Sequence, residues 1–318
     1  MPVLMRRLLD RLSSGADAPS QEDFDQPVLG PALGVPNASG MPASPGGILS
    51  TCGNPACASG WLKLFRSRSA PVFEGGWCCT PACARQMIEA AIRREMDSRA
   101  AGRMQPYRIP LGLAMLEQGW ISAEQLRRAI EAQRSAGRGR IGYWLAHSEG
   151  VSEQLVTRAL ALQRSCPVLN IEFHNPDDVA ALVPRLFVDA FGALPMRPAS
   201  SRMLYLGFED RLDPVLALGV ERISGFRVEC GLVAGSRFEP AHAAMLKARY
   251  PETELIEASS EATLAQALGK SIERVRPVDS RLVRVHDCLW LRMWLAPRTG
   301  PAPAADQVRD VIAYSGAH

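Results

Sequence analysis

Five of the eight cysteines fall within residues 51–98, as "TCGNPAC" and then, after about twenty residues, "CCTPAC". Cysteine thiolates clustered in this way suit a soft or borderline metal ion, zinc above all. Cys52 and Cys57 belong to a loop-like stretch, whereas Cys79 and Cys83 flank the start of a helix. Thr80 is suited to the N-cap and Pro81 to the first helical position, which places Cys83 in the first turn. There the helix dipole and the free N–H groups favour a thiolate. The residues between the two pairs have room for a hairpin. Two loop sulfurs and two at a helix start describe a treble-clef-like site. Four sulfurs close the tetrahedron and leave no open position, so the metal would be structural zinc. The competing readings are reduced cysteines packed as small hydrophobes, or a disulfide pair.

Cys78 competes with Cys79, because neighbouring residues point in different directions. Cys79 is preferred, since it gives "CTPAC", which resembles the CSxxC helix start of small zinc fingers. A module this small needs its metal to fold. Lys63, Arg66 and Arg68 make its hairpin basic, which is either a solvated face or a nucleic-acid contact. Cys166, Cys230 and Cys288 stand alone in apolar stretches and are expected in the core.

No other constellation carries chemistry. His147, His174, His242, His286 and His318 share no metal or nucleophile spacing. Asp177/Asp178 reads as a helix start and Glu209/Asp210 as a strand-end turn. "LAQALGKS" imitates the end of a P-loop with Gly269, Lys270 and Ser271, but Leu264 stands where its first glycine belongs. The expectation is therefore a protein that is not an enzyme.

The elements that must position the cysteines follow from composition and pattern. The chain has 318 residues, 47% hydrophobic and 22% charged, which suits several modest domains. A net charge of +3 gives little argument for nucleic acid. No apolar run approaches the roughly 18 residues that span a bilayer. The opening "MPVLMRRLLDRLSSGADAP" puts Leu4, Met5, Leu8, Leu9 and Leu12 on one face of a short helix, interrupted by Arg6, Arg7 and Arg11. It is not a secretory signal, so a cytoplasmic protein with reduced thiols is expected.

Residues 1–50, rich in Pro, Gly, Ser and Ala beyond that helix, are expected to be disordered. Residues 51–98 form the zinc-binding module, 108–165 an all-helical module, 166–298 an α/β domain and 299–318 a disordered tail. In the α/β domain "PVLNIEF", "RMLYLGF" and "FRVECGLV" read as strands. "DDVAALVPRLFVDAF" reads as a helix broken near Pro184. Asp213 and Pro214 open a further helix, as do Ser236 and Glu239 at capping-box spacing. "SEATLAQALGKSIERVR" is helical. "RLVRVHDCLWLRMWL" is one long strand or a hairpin turning at His286 and Asp287. The fold class is α+β and multidomain: a treble-clef-like module, two helical hairpins, then a three-to-five-stranded α/β sandwich.

The helical module is written twice. "LGLAMLEQGWISAEQLRRAIEAQ" (111–133) aligns without gaps on "IGYWLAHSEGVSEQLVTRALALQ" (141–163). Gly112, Ser122, Arg128, Ala129 and Gln133 match Gly142, Ser152, Arg158, Ala159 and Gln163. The apolar positions match too, and Ser122 and Ser152 are expected N-caps. The pattern is that of two helix-turn-helix units packed on each other.

The pattern R-[LI]-G-x-x-L…[IV]-S…L-x-x-x-L-x-x-Q resembles the N-terminal domain of type II secretion and type IV pilus assembly ATPases, the MshEN or GspE N-terminal type. The resemblance runs on through "LQRSCPVLNIEFHNPDDVAALVPRLFVDAFGALPMRP" and covers about 145 residues. It implies docking on, or signalling to, a secretion or pilus machine, with secretion or pilus assembly proteins as partners. It also implies a surface for cyclic di-GMP. In the second copy that surface would be Arg140, Ile141, Gly142, Leu145, Leu160 and Gln163. In the first it would be Leu111, Gly112, Met115, Leu126, Ile130 and Gln133. An Arg of the motif would stack on guanine, with Gly allowing backbone approach. Two departures stand out. Pro110 occupies the first copy's Arg position, and Glu149 replaces the Gly kept as Gly119, bringing negative charge towards a possible phosphate. Read from the residues alone, the repeat is a packing and protein-docking unit. The reading as a whole is a non-catalytic regulator or adaptor. A zinc-finger nucleic-acid-binding regulator and a pure docking scaffold are the alternatives.

Overall fold

The computed structural model describes residues 52–57, 71–97, 109–171, 175–196, 203–297 and 302–315. Residues 1–50, with the expected N-terminal helix, and Lys63, Arg66 and Arg68 lie outside them. Among the described residues the chain is α+β, with nine α-helices and three small sheets.

The cysteine module opens with a hairpin of β1 (Val72–Phe73) and β2 (Gly76–Trp77). Its two turn residues, Glu74 and Gly75, both have positive φ, 47° and 74°, which matches the twist of a two-residue hairpin. Helix α1 (Pro81–Asp97) follows, with Pro81 at its first position as expected. The tandem repeat forms α2 (Leu111–Glu117), α3 (Ala123–Ala136), α4 (Ile141–Ser148) and α5 (Glu153–Arg164). Ser122 caps α3 through a full capping box with Gln125. Ser152 occupies the N-cap of α5 without a side-chain bond.

The first α/β unit runs α6 (Arg185–Phe191), β3 (Leu194–Met196), β4 (Met203–Phe208), α7 (Pro214–Ser224), β5 (Arg227–Leu232) and α8 (Gly235–Met245). Its sheet has the order β3-β4-β5, with β4 and β5 parallel across α7. Asp213 caps α7 by accepting from the N–H groups of Val215 and Leu216. Residues around Val168 add to the β5 edge by a single parallel bridge to Leu232, so the expected strand at "PVLNIEF" is reduced to this contact over its described part.

The second unit runs β6 (Glu252–Ala258), α9 (Glu261–Val275), β7 (Asp279–Val285), β8 (Cys288–Trp294) and β9 (Val308–Ser315). The sheet order is β6-β9-β8-β7. The β7–β8 hairpin turns at His286 and Asp287, and His286 adopts φ 52°. The "GKS" imitation lies inside α9, with the Ser271 hydroxyl donating to Glu254 at 2.9 Å, so it cannot form a phosphate loop.

Four expectations need correction. Within the expected disordered tail, 299–318, the described residues hold a strand: Val308–Ser315 is central in its sheet, parallel to β6 and antiparallel to β8. The C-terminal part is not one sandwich ending at 298. It has two sheets bridged by α7, which packs on β5 of one and β7 of the other. Ser236 does not cap α8, whose N-cap Ala234 offers no side-chain bond. "DDVAALVPRLFVDAF" is a 3-10 turn and a buried turn before the helix, which begins only at Arg185.

The cysteine module is also not a free-standing domain. Phe73, Ile88, Ala91 and Ile92 share one core with Leu264, Ala265, Leu268 and Ile272 of α9 and with Leu282, Leu289 and Leu291 of the sheet. The β1–β2 hairpin lies against the β7 edge: Glu74 N–H in its turn donates to the Ser280 carbonyl at 2.9 Å, and Ser280 Oγ donates to the Val72 carbonyl at 3.1 Å. Glu95 of α1 is 1% exposed and accepts both guanidinium N–H groups of Arg222 on α7, at 2.7 and 2.5 Å. Burial opposes the charge on Glu95. The hydrogen bonds and charge of Arg222, then Arg94, outweigh it and hold the carboxyl below the usual glutamate range.

Candidate functional site: a four-sulfur centre and a paired helical motif

The loop Cys52–Cys57 is laid against the β-hairpin. Gly53 N–H donates to the Trp77 carbonyl at 2.7 Å, and a Cβ on Gly53 would stand 2.8 Å from Gly76 Cα. Only glycine permits that approach. Asn54 is buried, accepts from Ala56 N–H at 3.0 Å and donates to Gln86 of α1 at 2.6 Å, which fixes the loop on the helix. The Sγ atoms of Cys52, Cys57, Cys79 and Cys83 thereby lie within 4.8 Å of one another.

Two of the separations are 3.6 Å (Cys57–Cys79) and 3.7 Å (Cys79–Cys83). A tetrahedron with Zn–S of about 2.3 Å has edges of about 3.8 Å. The donor set and these edges fit a zinc ion. Thr80 Oγ1 accepts from Cys83 N–H at 3.2 Å, and hydrogen bonding by Thr80, ahead of Asn54, holds the Cys83 thiol below its ordinary pKa. Cys78 faces away. It is fully buried, its sulfur lies 3.4 Å from that of Met87, and burial pushes its thiol up to about 12. The four sulfurs could hold a metal ion as a closed, non-catalytic set. Of the remaining cysteines Cys288 is buried, whereas Cys166 and Cys230 are half-buried.

The repeat folds into two hairpins that complete each other. Leu111, Met115, Leu126 and Leu145 are buried in one cluster, with Ile130, Ile141 and Leu160 packed at its margin. A Cβ on Gly112 would stand 2.4 Å from Leu126 Cδ1, and one on Gly142 would stand 2.8 Å from Val156 Cγ1. Each glycine thus lets its short helix close onto the long helix of its own copy, at matching positions. The glutamines act across copies. Gln133 Nε2 donates to the Gly139 carbonyl at 2.8 Å, and Gln163 Nε2 donates to the Ile109 carbonyl. These carbonyls also occupy matching positions, each just ahead of an N-cap, so each copy's last residue holds the entry to the other's first helix.

The paired arginines reach across as well. Arg128 grips the Glu149 carboxylate, with its closest contact at 2.8 Å, and Arg158 lies over the Trp120 ring at 5.2 Å. The Glu149 side chain is only 7% exposed. Its charge is therefore neutralised inside the module rather than presented outward, contrary to the expectation of a repulsive carboxylate.

Arg140 is different. It is the N-cap residue of α4, its side chain is 71% exposed, and it pairs with Asp210 of the first α/β unit. Pro110 takes the same place before α2. Of the twelve motif residues, the apolar ones and the glycines lie in or beside the helical core, the glutamines close the hairpins, and Arg140 alone carries its charge into solvent. Asp210, read from the sequence only as part of a strand-end turn, and Glu153, which carried no signal there, join this module to the first α/β unit.

Gly142→Ala is expected to cost about 1 kcal/mol. Overpacking against the branched Val156 costs about 1–3 kcal/mol, and the gain in helix propensity of about 1 kcal/mol offsets part of it. Urea unfolding of the two proteins measures this. A stabilised variant would mean that the helices are not in close contact there.

The fold and site define an α+β protein with a four-cysteine centre and a tandem helical motif. No family model matches the chain, and no curated protein does. Among solved structures it is similar to that of MshE with cdg, at 24% identity and a TM-score of 0.35, over 43% of this chain and 98% of that one. It is similar also to the N-terminal domain of XpsE in two crystal forms, both at 19% identity. Their TM-scores are 0.30 and 0.24, over 42% and 41% of this chain and 92% and 90% of those. No helix among the described residues is long and apolar enough to cross a membrane.

Proposed function

We propose that this protein is a non-catalytic regulator or adaptor of a type II secretion or type IV pilus-like machine. A zinc-stapled α+β body presents the tandem helical motif to secretion or pilus assembly proteins in the cytoplasm. The observation that carries this reading is the motif itself: both copies keep its glycine, apolar and glutamine positions, and those residues knit the two hairpins into one unit. The unit also keeps large apolar side chains outside. Leu113 and Tyr143, at matching positions of the two copies, are 51% and 52% exposed. Exposed apolar residues on a rigid helical frame suit protein docking.

The test is co-purification of the full chain with a secretion or pilus assembly ATPase, for wild type and for Leu113→Glu/Tyr143→Glu. Capture lost in the double variant, with the circular dichroism spectrum unchanged, supports docking through this face. Capture that survives it places docking elsewhere, and no capture of the ATPase removes the adaptor role.

A second reading is favoured by Arg140, an exposed guanidinium at a helix start beside Ile141 and Gly142. It makes the unit a receptor for cyclic di-GMP. Calorimetric titration of zinc-loaded protein is expected to give micromolar or tighter binding, on the order of −8 kcal/mol, abolished in Arg140→Ala. Absence of heat with folded protein would remove this reading and leave docking.

A further inference from the structure

The second copy of the motif is bound to the α/β body by two contacts that the first copy cannot make. Arg140 pairs with Asp210, just beyond the end of β4. Glu153, the first residue of α5, accepts from the Ser236 N–H at the start of α8 at 2.9 Å. Helix α8 has no side-chain cap of its own, so Glu153 supplies the negative group that its N-terminus favours. Gly235 makes room for this: a Cβ there would stand 3.0 Å from Glu153 Oε1 and 2.8 Å from Glu209 Oε1. In the first copy the matching residues are Pro110 and Ala123, which carry neither charge. Both contacts lie at the carboxyl ends of the parallel strands β4 and β5.

We infer that Asp210 is an intramolecular competitor for Arg140, so that an anionic ligand gripping the second motif must displace Asp210 and loosen the helical unit from α8. The inference rests on the cyclic di-GMP reading of the motif and adds its regulation. Asp210 holds the one motif cation that faces solvent. A ligand phosphate or guanine edge that takes that cation leaves Asp210 without its partner, and the second copy then keeps Glu153 as its polar contact at α8, beside the apolar packing of Ala161 and Leu160 on the body. Coupling of this kind is reciprocal. Ligand should weaken the docking, and weaker docking should tighten ligand binding.

The probe is cyclic di-GMP, titrated into the zinc-loaded full chain for wild type, Asp210→Asn, Asp210→Glu and Arg140→Ala. Loss of a solvent-exposed ion pair should tighten binding about two- to fivefold in Asp210→Asn. Asp210→Glu should return towards wild type, and Arg140→Ala should not bind. Saturating ligand should also speed hydrogen exchange of the Gly235–Phe238 amides in wild type, since Glu153 protects Ser236 N–H only while docked. Equal affinities for wild type and Asp210→Asn would overturn the competition and leave the receptor reading standing. Tighter binding in Asp210→Asn with unchanged exchange at α8 would keep the competition and overturn the loosening. No binding to wild type or Asp210→Asn would remove the receptor reading, and the competition with it.

Discussion

Asp310→Ala is expected to destabilise the protein by about 3–5 kcal/mol, the cost of leaving a buried charge without its partner. Asp310 and Arg292 face each other across β9 and β8, with side chains 0% and 1% exposed. The carboxylate accepts from Arg292 Nε at 2.8 Å, from Arg292 Nη2 at 2.7 Å and from the Trp290 indole at 2.8 Å. The remaining reach of Arg292 goes to the Leu182 carbonyl, at 3.0 Å, in the turn before α6. This one network ties the second sheet to the first α/β unit. Removing the carboxylate strands a guanidinium and an indole N–H where water does not reach.

The melting temperature should fall by roughly 6–20 °C. The apolar pair Arg292→Met/Asp310→Leu should recover much of the loss, because it removes both charges together. A single variant as stable as wild type would mean that water enters this layer. Truncation after residue 298 should be worse still. It deletes β9, separates β6 from β8 and exposes two strand edges, so insoluble protein is the expected product.

Removal of the proposed zinc is the second large expected effect. A site held at about 1,000 times its Kd stabilises the folded chain by about 4 kcal/mol. The purified protein should carry about one zinc per chain, and Cys83→Ser should lose it. The loss should not stay local. Helix α1 shares its core with α9, β1 covers the β7 edge, and Glu95 anchors Arg222. Chelation is therefore expected to lower the melting temperature by roughly 8–16 °C and to speed hydrogen exchange along β7 (Asp279–Val285) as well as in the cysteine loop. A chelated protein with wild-type melting and exchange would identify the four cysteines as packed thiols. Exchange confined to residues 52–97 would instead make the module independent of the sheet.

Much of the local architecture was legible because it is written in short-range chemistry. Thr80 with Pro81 announced α1, Ser122 announced α3, and Asp213 with Pro214 announced α7. Each is a capping signal that acts within three residues. Gly137, Gly192 and Gly225 close their helices in the left-handed conformation for the same local reason. The repeat was legible because it is a comparison of the chain with itself. The cysteine set was legible as a set, and the choice of Cys79 over Cys78 followed from the helix start.

β9 was not legible. Val308, Val311, Ile312, Ala313 and Tyr314 are all buried, so the strand lacks the alternation that marks one wet face. It follows a Pro- and Ala-rich stretch that reads as a tail. Its partners are β8, across a connection, and β6, more than fifty residues earlier. Ser236 with Glu239 misled for a related reason. Their spacing is right for a capping box, but the N-cap of α8 falls two residues earlier, at Ala234, and the helix takes its cap from Glu153 on another module.

The sequence by itself determined where helices begin and end, that one helical unit is duplicated, and that four sulfurs belong together. These follow from interactions within a few residues or from patterns visible along the chain. Only the tertiary structure decided that the cysteine module is a wall of the C-terminal core, that the last strand is central, and that Arg140 meets Asp210 while Glu149 turns inward to Arg128. Those outcomes depend on which surfaces are brought together across long separations. There, burial and charge pairing between distant residues set the energy, and local propensity has little say.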